Sequence, residues 1–136
     1  MKFLRFIPLL TLPALVYGAL LAWPGPIAPR LAEPILSISL ASGDTWSPTL
    51  GATLVVLSAL CLFVEIVRSA TPNKAAIGEN ISTALVFSVC FGLFLLAPGF
   101  GTTEFFSIVL LLLLDFLTDA TIMVFTARRT VQYSRN

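Results

Sequence analysis

From Phe105 to Phe125 the sequence reads FFSIVLLLLLDFLTDATIMVF, one hydrophobic run long enough to cross a bilayer. About 20 apolar residues rising 1.5 Å each cover a hydrocarbon core of roughly 30 Å. Two carboxylates, Asp115 and Asp119, lie inside the run, and Arg128 and Arg129 follow it. Lipid is the expected solvent for such a chain, and the composition agrees. Only 11% of the 136 residues are charged, where soluble domains run near about 25%.

Three further apolar runs precede this one. With it they predict spans over about 6–23, 49–67, 78–97 and 104–127, in one membrane domain covering 1–136. The expected fold is all-α, an up-down four-helix transmembrane bundle. Its first loop, 24–48, contains Ile35–Leu40 with partial apolar/polar alternation, then Ser42-Gly43-Asp44, then Thr45-Trp46. Alternation broken by a turn cluster predicts a small β-hairpin in this extracytoplasmic loop, with its apolar face on the membrane surface or capping the bundle. Pro24, Pro26, Pro29 and Pro34 are expected to keep the first half of the loop from forming helix. A basic head with Lys2 and Arg5 before a short apolar core also fits a secretory signal peptide; the segment is taken as an uncleaved helix. Thr71-Pro72 has the form of an N-cap followed by proline at the first helical position. Thr102 or Thr103 can cap the last helix.

Orientation follows from the cations. If both termini are cytoplasmic, Lys2, Arg5, Arg68, Lys74, Arg128, Arg129 and Arg135 lie inside and only Arg30 outside, a pronounced positive-inside bias. Trp23 and Trp46 then fall at the outer interface, where tryptophan is enriched.

The candidate polar site is on the last helix. Asp115 and Asp119 are four residues apart and share a face. Counted back from Arg128 they lie roughly 20 Å and 13 Å into the membrane. Charges exposed at that depth are costly, so both are expected to face the bundle interior or a wet cavity, or to be protonated. The same depth count brings Tyr17, Ser58, Ser88 and Thr11 to their level as hydrogen-bond partners, and no basic residue. Three readings stay open: a proton or cation relay, a polar clasp that fixes helix packing, or a contact with a basic group of another membrane protein. Glu65 and Arg68, three apart at the end of the second span, predict an interfacial ion pair. Ala14, Gly18 and Ala22, and likewise Ala84, Ser88 and Gly92, form small-residue rows at four-residue spacing, expected to pack helices closely and to meet across a crossing of the first and third helices.

Several functions are disfavoured. There is no histidine, which removes the commonest general base and metal ligand, and no nucleophile motif or phosphate loop occurs. No enzyme activity, metal or cofactor is expected. A net charge of +1 gives no reason to expect a nucleic-acid partner. Cys61 and Cys90 lie in apolar runs without C-x-x-C spacing and read as buried structural thiols.

The basic head, the Ile35–Thr49 segment with its Ser-Gly turn and tryptophan, and the Asp-bearing last helix ending in Ala127-Arg128-Arg129 resemble small four-span bacterial inner-membrane proteins. The resemblance covers most of the chain and implies location in the bacterial inner membrane, but brings no activity with it. Small multidrug exporters share size and span number, but they carry a glutamate in the first span, and Phe6–Trp23 holds no acid. The expected function is therefore that of a non-enzymatic accessory or interaction subunit of a bacterial inner-membrane complex. Its expected partners are the lipid bilayer and a larger complex or further copies of itself. The alternative is a small oligomeric transporter or proton-conducting protein using Asp115 and Asp119.

Overall fold

The computed structural model describes the backbone of residues 7–69 and 76–133, and their side chains except at 76, 77, 79 and 126–133. The basic head, the Thr71-Pro72 cap and the last residues of the tail lie outside the described residues. The chain is mostly helical: α1 Thr11–Ala22, α2 Ile27–Leu31, α3 Leu50–Ser69, α4 Ala76–Leu96 and α5 Thr103–Tyr133, with β1 Ile38–Ser39 and β2 Thr45–Trp46 between α2 and α3. Leu50–Ser69 and Thr103–Phe125 are long and apolar enough to cross a membrane, while the apolar parts of the other two long helices, Thr11–Ala22 and Asn80–Leu96, are shorter.

The first helix begins later than the apolar run does. Pro13 has no N–H to bond the carbonyl of Leu9, so a helix cannot run through it from Phe6. The helix instead starts at Thr11, and Pro13 falls in the first turn, whose N–H groups have no intrahelical acceptor in any case. Residues 8–12 tighten into i→i+3 bonds, Thr11 N–H to Pro8 O at 2.9 Å and Leu12 N–H to Leu9 O at 3.0 Å.

The same logic corrects the expectation for the proline-rich loop, which does contain a helix. In α2, Pro26 stands just before the first turn and Pro29 inside it, where neither removes a needed donor. Ile27 and Leu31 are buried. The following Arg30 donates to Leu20 O and Pro24 O, both at 2.7 Å, and so satisfies carbonyls at the C-terminal end of α1.

The hairpin forms as an antiparallel pair with Ile38 opposite Trp46 and Ser39 opposite Thr45. Gly43 adopts φ 91° in its turn, a left-handed conformation that glycine takes without steric cost. Its residues are exposed throughout, so within this chain the hairpin does not cap the bundle.

Helices α3 and α5 form the central pair. Each buries one row at alternating three- and four-residue steps: Gly51, Leu54, Ser58, Cys61 and Glu65 on α3, and Phe105, Ile108, Leu112 and Asp115 on α5. This spacing gives near-parallel helix packing. Gly51 makes the approach possible: a Cβ there would lie 2.8 Å from Glu104 Cγ and 3.2 Å from the Leu31 carbonyl. Since early residues of α3 meet early residues of α5, the two helices run parallel. Helix α4 lies antiparallel to α5, with Phe94 and Phe106 rings 5.3 Å apart. Helix α1 is antiparallel to both α3 and α5 and buries Leu10, Pro13 and Tyr17.

Candidate functional site

Two groups of buried polar atoms sit at opposite ends of the bundle. At the end that carries the hairpin, Tyr17 is fully buried and reaches the turn between α4 and α5. Its hydroxyl donates to Gly99 O at 2.8 Å and lies 2.7 Å from Thr102 Oγ1. The tyrosine proton is committed to Gly99, so the threonine hydroxyl donates to Tyr17. Thr102 Oγ1 in turn accepts the Phe105 N–H at 3.2 Å and caps α5, while Glu104 in the first turn suits the helix dipole. The Tyr17 and Phe105 rings lie 4.8 Å apart, as do Phe100 and Phe105, so the knot is enclosed by aromatic carbon.

At the opposite end, Glu65 is 4% exposed. Its Oε1 accepts the Leu9 N–H at 2.7 Å and its Oε2 the Leu10 N–H at 3.4 Å. These N–H groups precede α1, whose own N-cap residue supplies no side-chain bond. A carboxylate from α3 therefore does the work of a cap and meets the positive end of the α1 dipole. Arg68 Nη2 lies 3.6 Å from Glu65 Oε1. The expected ion pair is thus present, and Glu65, buried under α1, also anchors another helix.

Asp115 is 1% exposed, and neither carboxyl oxygen has a hydrogen-bond partner among the described residues. It lies within electrostatic reach of Glu65, Asp119 and Arg68. Asp119 is half-buried. The expected aspartate pair is therefore a group of three acids with an arginine beside it, and the expectation of no basic group at this level is corrected. Two more buried side-chain atoms lack partners among the described residues, Thr11 Oγ1 and Asn80 Nδ2. Thr11 follows the residues bonded to Glu65. Counting down the antiparallel α4–α5 pair from Phe94 and Phe106 brings Asn80 beside Ala120. Every orphaned polar atom among the described residues thus belongs to this one end.

The hydroxyls expected to serve the aspartates do not. Ser58 is buried but donates to Leu54 O at 2.7 Å, and exposed Ser88 donates to Ala84 O at 2.8 Å, the back-bond that helical serine makes with the preceding turn. Tyr17 is at the wrong end. The Leu9 and Leu10 amides mark the level of Glu65, so Tyr17 lies about 10 Å further along.

The small-residue rows also stay apart. Helix α1 packs through Leu10, Pro13 and Tyr17, which turns Ala14 and Gly18 aside into an apolar groove of about 450 Å³ facing Leu85, Val89 and Cys90 of α4. Ala22 and Ser88 are exposed, Ala84 is half-buried, and a Cβ on Gly18 or Gly92 would meet nothing within 4 Å. Cys61 and Cys90 are free and buried. Among the described residues no three His, Cys, Asp or Glu side chains converge as metal ligands would.

The geometry defines a helical chain with two bilayer-length apolar helices and a buried acidic group. No protein-family model, curated protein or solved structure matches the sequence.

Proposed function

We propose that the chain is a non-enzymatic integral membrane protein, a four-span bundle with cytoplasmic termini that serves as an accessory or interaction subunit of a bacterial inner-membrane complex. One observation carries the membrane part. Only 28% of the α3 window and 22% of the α5 window is buried within the chain, and Val56, Leu60, Phe63, Leu110 and Leu114 are left exposed. Soluble monomers do not present contiguous apolar surface on that scale, and a bilayer accepts it. Helix α1 with the tight turn before it extends about 26 Å, close to the hydrocarbon thickness. The cations divide seven to one across the four spans, which supports cytoplasmic termini.

The accessory reading is favoured over transport by the state of the acids. A carrier needs its carboxylates reachable from water on one side, but Asp115 and Glu65 are sealed by their own chain. The groove beside α1 is lined by apolar side chains and Thr11, which offers a transported ion little to bind.

The test is a gentle-detergent pull-down of tagged wild type beside Asp115→Asn. A stoichiometric larger membrane protein is expected with both, because Asp115 faces inward. Recovery of the chain alone, or only as copies of itself, overturns the accessory reading.

A further inference from the structure

We propose that Glu65, Asp115 and Asp119 form a proton-binding site at the end of the bundle opposite the hairpin, with the bound proton held on Asp115. The three carboxyls are not equivalent. Glu65 acts as an acceptor on both oxygens, towards Leu9, Leu10 and Arg68, which is the role of an ionised carboxylate. Asp119 is half-buried. Asp115 has neither a donor to its oxygens among the described residues nor contact with water.

An ionised carboxylate so placed would bear the full desolvation penalty of a buried charge, next to the negative charge of Glu65. Adding one proton converts it to a neutral acid and removes most of that penalty. The charged and titratable groups facing it among the described residues are Glu65 and Arg68 from α3 and Asp119 from its own helix. Cys61 lies one turn before Glu65 on the buried row of α3. Asn80 on α4 and Thr11 on α1 bring uncharged polar atoms to this end. Arg68 is already engaged with Glu65 and does not neutralise Asp115 by direct contact. A metal ion would need several ligands to converge, which these do not; a proton needs one.

One turn further along the same face, Asp119 lies within electrostatic reach of Asp115 and adds to the cost of a charge there. This inference rests on burial within the bundle and not on the accessory reading.

The experiment is infrared spectroscopy of the full chain in lipid nanodiscs, comparing unlabelled protein with protein carrying ¹³C in the aspartate carboxyl. Only Asp44, Asp115 and Asp119 then shift. The expected result at neutral pH is a protonated-carboxyl C=O band that moves on labelling, survives Asp44→Asn and Asp119→Asn, and disappears in Asp115→Asn. The absence of a label-sensitive band in wild type overturns the proposal, as does a band that survives Asp115→Asn. If Asp115→Asn fails to fold, the other two variants assign the band by elimination. Its loss in either of them overturns the assignment to Asp115. A pull-down without partner leaves this result untouched, and an absent band leaves the pull-down untouched.

Discussion

The two ends of the bundle handle buried polarity in opposite ways. Around Tyr17 every bond is closed: tyrosine to Gly99, threonine to tyrosine, Phe105 amide to threonine. Around Asp115 the accounts stay open, with a carboxyl, an amide nitrogen and a hydroxyl all lacking partners among the described residues. A satisfied buried network fixes one arrangement of helices. An unsatisfied one costs stability, and at Asp115 it leaves a group able to change charge. The first end reads as structure and the second as chemistry, although the sequence marks the second far more visibly than the first.

Mutations can break that contrast. The largest effect is expected from Tyr17→Ala, which removes the knot and its aromatic packing together. A loss of about 3–5 kcal/mol should appear in denaturant-induced unfolding in mixed micelles, and a loss under about 1 kcal/mol would deny the hairpin end its structural role. Next comes Glu65→Ala, which strands the Leu9 and Leu10 amides. About 1–3 kcal/mol is expected, with hydrogen exchange at Leu9–Thr11 rising while exchange at Tyr17 stays slow. Smallest is Asp115→Asn, isosteric with the protonated acid: stability should change by under about 1 kcal/mol. A loss as large as that of Glu65→Ala would mean that the carboxyl is a packing clasp after all.

How much of this was legible from residues alone can be judged at particular positions. The bilayer-length runs at α3 and α5 and the hairpin around Gly43 follow from local pattern, and the structure has them. Four spans remain a proposal, since α1 and the apolar part of α4 are shorter than the run lengths implied. The helix at Ile27–Leu31 was hidden because prolines read as breakers, whereas at a helix start they cost nothing. Glu65 was read as a partner of Arg68 alone because the two stand three apart at the end of the second span, which says nothing of the α1 amides it also holds. Its step of three and four residues from Leu54, Ser58 and Cys61 did carry the signal that it faces inward. Tyr17, Ser58 and Ser88 were assigned by depth alone, and depth says nothing about the direction a side chain faces on its helix or about competition from the helix's own carbonyls.

Helix α1 is fastened at each extremity by a charged side chain from elsewhere, Arg30 at its C-terminal end and Glu65 at its start. Arg30 is ten residues from the carbonyl it binds, while Glu65 is 56 residues from Leu9, and Gly99 and Thr102 lie 82 and 85 residues from Tyr17. During synthesis α1 is made before the residues that hold it, and only Arg30 can tie it promptly. It must wait for α3 to receive its second fastening and for the turn before α5 to receive its third. Helix α1 is therefore fully held only once the turn before α5 is in place, and a chain truncated after α3 would leave the Tyr17 hydroxyl without Gly99 and Thr102.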